Sequence, residues 1–209
     1  YISVTGVQTC ALPISAPTIS TQPSSGSVEH GSTRTFSVTA TTTYSETVSY
    51  QWQKAESTAT STWTDISGAT SSSYTTGATV KSTDNGDLYR VVVTTTADSA
   101  TATTTSSSAT LTVTDTTKPT SSGSITATYT TGTSVSVSYT ATDAVGLSSV
   151  AAYYSTSATL SSPTSCGSAT GLSGTSASGT ITCTIPASDA TYYIYTRATD
   201  SSSNIEDAP

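Results

Sequence analysis

The chain has 209 residues, a formal net charge of −7 and an isoelectric point near 4.3, and only 9% of its residues are charged. Six Lys and Arg residues, scattered along the chain, are too few to follow a phosphate backbone, so nucleic acid is excluded as a partner. No apolar run approaches the roughly 20 residues that cross a bilayer as a helix.

The composition favours an all-β protein. The chain contains 42 serines and 51 threonines, no Met, and little Leu, Glu or Lys from which helices are built. Thr, Val and Tyr suit a pleated, half-buried surface. At this length two domains of about 100 residues each are expected. Each core should be thin, because Val, Ile, Tyr, Ala and the Thr methyl groups must fill it.

The first fifteen residues stand apart. Residues 4–14 resemble the translation of a common sequencing-adapter oligonucleotide. The alternative, a signal-peptide remnant, lacks an initiator Met, a basic region and an unbroken apolar stretch. We therefore expect residues 1–15 to be an adapter-derived, unstructured segment, and we leave Cys10 out of the cysteine pairing.

The pattern of side chains and turns in residues 16–115 predicts one domain of short strands. In residues 48–54 apolar and polar side chains alternate, which places Trp52 on the apolar face of a strand. Turn signals such as Asp84-Asn85-Gly86 recur at roughly ten-residue spacing, as in a sandwich or barrel. The residues predicted for the core are Phe36, Val38, Trp52, Tyr89 and Val91.

This set of patterns resembles the immunoglobulin-like repeats of bacterial secreted and cell-surface proteins. The segments that carry the resemblance are residues 31–38, 50–54, 66–70, 84–86 with Tyr89, and 109–113. The resemblance implies an antiparallel β-sandwich. Antibody-type domains place an inter-sheet disulfide about where Val38 and Val91 stand here, so we expect an apolar contact in its place.

The same kind of pattern in residues 116–209 predicts a second immunoglobulin-like sandwich. A polar segment containing Pro119 precedes it and resembles the stiff linkers between such modules. Alternation recurs along residues 135–141 and 181–185. Residues 198–209 resemble the turn after the sixth strand, so we expect the closing strand to be missing and one sheet edge to be open. The predicted fold is thus all-β, with two tandem sandwiches.

Cys166 and Cys183 lie 17 residues apart, on either side of a Gly/Ser-rich stretch that we interpret as a loop. A loop-to-strand disulfide here would contribute roughly 3 kcal/mol in the chain-entropy model. Two free thiols in a cytosolic protein are the alternative, but the acidic, Ser/Thr-rich composition favours an oxidising exterior. We therefore predict the disulfide and an extracellular or cell-surface location. Without C-x-x-C or a nearby His, these cysteines do not indicate a metal site.

Acidic residues in predicted turns of the second domain are calcium candidates, because they could meet at one pole of the sandwich. They are Asp115, Asp143, Asp200, Glu206 and Asp207. Calcium takes six to eight oxygen ligands from carboxylates and carbonyls. No Asp-x-Asp-x-Asp loop is present, and single Asp residues in turns commonly cap backbone amides, which is the alternative interpretation. No other cofactor is indicated.

Catalysis is not indicated. His30, the single histidine, lies in a predicted exposed turn without a Gly-x-Ser-x-Gly context. The carboxylates lie singly in turns and do not suggest the facing pair of a glycosidase. We expect no enzyme activity.

Carbohydrate binding is an alternative function, because several aromatic side chains could be exposed. Sugar-binding modules stack exposed rings on their ligands, whereas packing against neighbouring strands is the alternative for any ring in a sheet. The rings that could be exposed are Trp63 and the outward members of Tyr153, Tyr154, Tyr193 and Tyr195.

The predicted function is that of a non-catalytic spacer, stalk or adhesion module in a larger extracellular bacterial surface protein. Its partners would be the neighbouring domains of the same chain. The alternative is a carbohydrate-binding accessory module of a secreted polysaccharide-active or adhesive protein, with surface glycans or a host ligand as partner. Rows of Ser and Thr on the outer sheets would favour the spacer, and a row of exposed rings would favour the binder.

Overall fold

The computed structural model describes residues 14–43, 46–59, 62–97, 100–125, 134–159, 161–188 and 190–208. The chain divides into two compact units between Thr114 and Asp115, here called domain 1 and domain 2. The division falls one residue before the predicted boundary, so Asp115 belongs to domain 2. Most of the predicted adapter-derived segment, residues 1–13, lies outside the described residues.

The described part of domain 1 is built from short strands and one helical turn. The elements are β1 (Thr18–Thr21), β2 (Gly26–Glu29), β3 (Thr35–Ser37), β4 (Thr39–Thr41), β5 (Thr47–Ala55), β6 (Thr64–Asp65), β7 (Ser73–Thr75), α1 (Lys81–Asp84), β8 (Leu88–Ala97), β9 (Ala100–Thr105) and β10 (Ala109–Thr114). Thr- and Val-rich stretches separated by Gly, Asn and Asp turns produce this pattern.

Two layers of strands enclose the core of domain 1. One layer contains the pairs β1–β4 and β3–β7, and the other has the order β2-β10-β8-β5-β6, with β9 also pairing with β8. The run β5-β8-β10 corresponds to strands C, F and G of an immunoglobulin sandwich. Pairing is antiparallel except between β10 and β2, which run parallel. The other strand pairs of domain 1 are antiparallel, as predicted.

Four aromatic rings from both layers form the centre of domain 1. Phe36 of β3 stacks on Tyr89 of β8 with ring centroids 4.6 Å apart, and Trp52 of β5 lies 6.3 Å from both Phe36 and Tyr74. The Trp52 indole Nε1 donates a hydrogen bond to the Ser71 carbonyl at 2.9 Å. The five residues predicted for the core, Phe36, Val38, Trp52, Tyr89 and Val91, are all buried in one cluster.

Domain 2 is a second sandwich with fewer strands in the described residues. Its elements are β11 (Thr120–Ile125), β12 (Ser134–Thr142), β13 (Leu147–Ser155), β14 (Thr164–Thr170), β15 (Ser176–Thr184) and β16 (Tyr193–Asp200). They form two three-stranded sheets, β11-β12-β15 and β14-β13-β16. The core includes Val135, Val137, Ile181 and Val150, which are at most 2% exposed. Both domains are therefore immunoglobulin-like β-sandwiches.

Beyond β16 the chain turns back along that strand. Thr199 and Ile205 form an isolated antiparallel bridge, and the Glu206 backbone N–H donates to the Ala198 carbonyl at 3.0 Å. Ser203, at φ 72°, lies within the turn that reverses the chain.

A disulfide joins Cys166 of β14 to Cys183 of β15, with Cα atoms 4.6 Å apart. The bond therefore links the two sheets, strand to strand. The stretch predicted as a loop, residues 167–179, consists largely of the ends of β14 and β15, with a short turn at residues 171–175. That part of the prediction was wrong because Ser, Gly and Thr residues give no apolar contrast by which a strand is recognised.

In the described residues, no helix combines the length and the apolar character needed to cross a membrane.

Candidate functional site

Three aspartates of domain 2 form a group of neighbouring acidic side chains, here called the aspartate cluster. Asp143 follows the last residue of β12, Asp200 ends β16, and Asp115 precedes β11. One carboxylate oxygen from each residue lies within 4.8 Å of the other two. Asp115 is 7% exposed, Asp143 is 8% exposed and Asp200 is 1% exposed. The sandwich topology thus brings three distant parts of the sequence to one pole.

All three aspartates cap backbone amides that follow them; Oδ1 of Asp115 accepts a hydrogen bond from the Thr117 backbone N–H at 3.2 Å. Oδ1 of Asp143 accepts hydrogen bonds from the backbone N–H groups of Val145 and Gly146, both at 2.8 Å. Oδ1 of Asp200 accepts from the backbone N–H groups of Ser202 and Asn204, also at 2.8 Å. Short acidic side chains do this in many turns, which is why the sequence places Asp there. The capping interpretation is correct for these oxygens and leaves the others to be accounted for.

The second carboxylate oxygens differ in how they are satisfied. Asp200 Oδ2 accepts from the Asn204 amide at 2.7 Å, and Asp115 Oδ2 accepts from the Ser202 hydroxyl at 2.7 Å. Asp143 Oδ2 is buried and has no hydrogen-bond partner. A buried carboxylate oxygen without a partner loses its hydration and gains nothing in return.

Among the residues that the structure describes, no basic side chain forms an ion pair with the aspartate cluster. Lys54 and Lys118 pair with other carboxylates. At an effective dielectric constant of 20, two carboxylates 4.8 Å apart repel each other by roughly 3 kcal/mol. Neutral donors, Asn204 and Ser202, offset only part of this repulsion.

Glu206 and Asp207, the other two calcium candidates, lie outside the cluster. The Glu206 carboxylate accepts from the Ser121 backbone N–H at 2.7 Å and from the Ala198 backbone N–H at 2.9 Å, and so links β11 to β16. Asp207 pairs with Lys118 at the surface, and this hydrogen bond lowers its pKa. Both residues lie beyond the chain reversal at Ser203, which directs them along β16 instead of towards its end.

The tyrosines considered for sugar binding mostly pack on one another. Tyr153 and Tyr195 stack with centroids 5.3 Å apart, and Tyr154 meets Tyr192 edge-on at 5.4 Å. Tyr193, at 42% exposed, is the open ring of this group. These rings therefore do not form a contiguous solvent-facing row.

Trp63 lies in domain 1 and is covered by a basic side chain. The Arg90 guanidinium lies over its ring, 4.1 Å from the centroid. The same Arg90 donates a hydrogen bond from Nε to the Gln53 side chain at 2.8 Å. One face of the Trp63 ring is thus covered by the guanidinium and is not open for stacking on a sugar.

The outer surface of the sheet β11-β12-β15 carries hydroxyl side chains, and we call it the hydroxyl face. Its exposed, outward residues are Thr120, Ser122 and Ser124 on β11, Ser134, Ser136, Ser138, Thr140 and Thr142 on β12, and Ser176, Ser178, Thr180, Thr182 and Thr184 on β15. Antiparallel register aligns them across strands, as in Ser136 opposite Thr182. The hydroxyls of Thr120 and Thr142 lie 3.0 Å apart, and those of Ser122 and Thr140 lie 2.9 Å apart. None of these positions holds a ring or a charge.

His30 follows β2, and its role is structural. Its Nδ1 accepts a hydrogen bond from the Lys81 backbone N–H at 3.2 Å, which holds the start of α1. The residue is half-buried, not exposed as predicted, because the segment before α1 packs over it.

An ion pair between a half-buried lysine and a buried aspartate lies at the end of the core in domain 1. Lys54 Nζ lies 2.6 Å from Asp87 Oδ2 and 3.5 Å from Asp84 Oδ1, and Asp87 is fully buried. Burial alone would lower the pKa of Lys54, but the hydrogen bond to Asp87 and the surrounding negative charges outweigh burial and raise it. The Ser57 backbone N–H donates to Asp87 Oδ1 at 3.0 Å, so both carboxylate oxygens have partners. The geometry is that of a structural pair.

Burial raises the pKa of Tyr89 to about 12; the nearby Lys54 ammonium acts to lower it, and Asp87 adds to the rise. Because the folded state holds this proton more tightly than the unfolded state, the stability of domain 1 is fully present below pH 10 and falls between pH 10 and 12. A rise from 10 to about 12 corresponds to a loss of roughly 3 kcal/mol at the upper end. The free energy of unfolding of domain 1 is measured at each pH by urea denaturation, with tryptophan fluorescence as the signal.

Tyr89→Phe should lose less stability than the wild type over this pH interval, because it has no phenol to ionise. Tyr193→Phe, which changes an exposed ring of domain 2, should behave as the wild type. Parallel losses in Tyr89→Phe and the wild type would contradict the assignment to Tyr89.

A family described as a domain of unknown function (DUF8696) matches residues 17–115. No curated protein matches the chain. Among solved structures, the titin domains Z1Z2 in complex with telethonin are 22% identical, with 91% of this chain and 92% of that chain covered and a TM-score of 0.36. Titin-A168169 is 12% identical, with coverage of 92% and 95% and a TM-score of 0.32.

The complex of Dpr2 Ig1-Ig2 with DIP-Theta Ig1-Ig3 is 13% identical, with 93% of this chain and 63% of that chain covered and a TM-score of 0.35. At these identities and TM-scores nothing about function is carried over. The immunoglobulin-like assignment depends on the strand order and core of each domain.

Proposed function

We propose that this chain is a non-catalytic spacer of an extracellular bacterial surface protein, in which immunoglobulin-like domains follow one another along the chain. The observation that carries the proposal is the hydroxyl face of domain 2. The bacterial and extracellular context comes from the sequence resemblance and the composition.

A face of paired Ser and Thr residues suits a spacer for a physical reason. Binding hot spots are usually Trp, Tyr or Arg side chains in desolvated pockets, and the hydroxyl face offers none of them. Hydroxyl groups that bond to one another and to water keep the sheet hydrated. Such a surface tolerates crowding without adhering to its neighbours.

The cross-link supports a role outside the cell. Disulfides persist in oxidising compartments, and the Cys166–Cys183 bond links the two sheets of domain 2. A chain that bears load benefits from such a bond, because the segment between the two cysteines, which are 17 positions apart, cannot extend.

Single-molecule stretching of the full chain tests this proposal. We expect each domain to unfold in a separate event, since each has its own core. Reduction of the disulfide should lengthen the extension of domain 2 by about 6 nm, because 17 residues at roughly 3.6 Å each are released. Domain 1 should extend by the same length with and without reductant.

The same chain applied to a glycan array separates the spacer from the carbohydrate-binding alternative. No bound glycan, together with discrete unfolding events, is the result expected for a spacer. Specific glycan binding that Trp63→Ala or Tyr193→Ala abolishes would overturn the proposal. So would a featureless extension without unfolding events.

A further inference from the structure

We propose that the aspartate cluster of domain 2 is a calcium site. Asp115, Asp143 and Asp200 each place one carboxylate oxygen within 4.8 Å of the other two, and all three residues are at least nine-tenths buried. No lysine or arginine among the described residues pairs with them. A cation held between the three carboxylates would remove their mutual repulsion.

The orphan oxygen of Asp143 points to a bound ion independently of the clustering. Asp143 is 8% exposed, and its Oδ1 is used fully by the turn, where it accepts from Val145 and Gly146. Its Oδ2 is buried without a hydrogen-bond partner. Buried polar atoms in folded proteins almost always have a partner, so an oxygen left in this state marks the place of a missing ligand. Because this oxygen belongs to a carboxylate that lies beside two more carboxylates, a cation is the ligand that suits the site.

The number of carboxylates favours calcium over magnesium. All the side-chain donors are hard oxygens, which both ions accept. Calcium takes six to eight oxygens in a flexible geometry, and carboxylate oxygens within 4.8 Å of one another can ligate one ion at roughly 2.3–2.6 Å. Magnesium demands a near-ideal octahedron and usually keeps several of its waters, so one or two carboxylates are its usual protein ligands.

A bound ion would connect three segments of domain 2 that the fold otherwise joins through few contacts. These are the residues before β11, the turn after β12 and the turn after β16. The last two already meet through the Ser201 N–H, which donates to the Gly146 carbonyl at 2.8 Å. Asp115 meets the turn after β16 through the Ser202 hydroxyl and the Asn204 amide. The ion would complete this arrangement by linking Asp143 to Asp115.

The test is calorimetry of the full chain, freed of metal with EDTA and titrated with calcium chloride. We expect one calcium ion to bind per chain. Calcium at about 100 times its dissociation constant should raise the melting temperature of domain 2 by roughly 10 °C. Both tryptophans lie in domain 1, so fluorescence identifies the transition of that domain and leaves the other to domain 2.

Asp143→Asn separates ion binding from turn capping. The amide keeps an oxygen for the Val145 and Gly146 N–H groups but replaces the orphan oxygen with an NH₂ group, which cannot ligate a cation. In EDTA the variant should melt at or above the wild-type temperature, since one like charge is gone. Adding calcium should not raise the melting temperature of domain 2 in this variant. Asp207→Asn, an equal charge change outside the cluster, should keep the full calcium response.

Three results would overturn the proposal. The first is a wild type whose melting temperature and heat signal ignore calcium. The second is an Asp143→Asn variant that responds to calcium as the wild type does. The third is an equal response to magnesium at the same concentration, which would refute the assignment to calcium.

Discussion

Replacing Trp52 with alanine should destabilise domain 1 by about 3–5 kcal/mol, the range seen when a buried aromatic residue is truncated. Trp52 is fully buried and packs between Phe36 and Tyr74, so the surrounding strands cannot close over the lost volume without moving. The Ser71 carbonyl would also lose the hydrogen bond that the Trp52 indole N–H donates to it. The melting temperature of domain 1 should fall by at least roughly 10 °C.

Trp63→Ala is the matched control, because it removes the other indole of the same domain. Trp63 is only half-buried, and its main contact is with the Arg90 guanidinium. We expect a loss of about 1 kcal/mol. Thermal unfolding by circular dichroism measures both variants, and near-equal losses would show that Trp52 is not the centre of the core. The transition of domain 2 serves as an internal reference in each sample.

The strand that contains Trp52 explains why the sequence alone predicts it as a core residue. Along β5 apolar residues alternate with Ser and Gln, so the buried face is recognisable without a structure. The same is true of β12, where Val135, Val137, Tyr139 and Ala141 are buried and each intervening hydroxyl residue is exposed. Wherever the chain contrasts large apolar residues with Ser and Thr, period-two alternation determines the strand and its inner face.

Strands without that contrast could not be found. β2 and β9 are composed of Gly, Ser, Ala, Thr, Val and Glu, and neither has an alternating apolar series. In β8, Thr95 is fully buried, and its hydroxyl lies 2.8 Å from the Ser15 carbonyl oxygen and 3.2 Å from the Ala102 carbonyl oxygen. Thr therefore serves on both faces of these sheets. A residue that fits inside and outside alike carries no information about register.

The aspartate cluster was predictable in part. Asp143 follows the alternating strand β12, Asp200 ends β16, and each begins a turn; strands that run in the same direction end at the same pole. The sequence therefore suggests that these two meet, and Asp115 with them. Glu206 and Asp207 could not be separated from this group, because the reversal at Ser203 depends on a backbone conformation that the sequence does not specify.

Removing the disulfide should destabilise domain 2 by about 3 kcal/mol, the value expected for a cross-link that closes a 17-residue loop. Its core is thin: the fully buried side chains of domain 2 are mostly valine and alanine. The bond joins the two sheets where β14 and β15 approach closely. A Cβ atom on Gly167 would lie 2.3 Å from the Thr182 carbonyl oxygen, so the residue next to Cys166 must be glycine.

The variant to measure is Cys166→Ala with Cys183→Ala, by calorimetry of the full chain. Treatment of the wild type with reductant should lower the melting temperature of domain 2 by a similar amount. Cys10→Ser, which changes a cysteine outside the bond, should leave both transitions unchanged. If the double variant melts as the wild type does, the sheets of domain 2 are held by their packing alone and the cross-link does not compensate for the thin core. Should Cys10→Ser lower the transition instead, the pairing of Cys166 with Cys183 would be refuted.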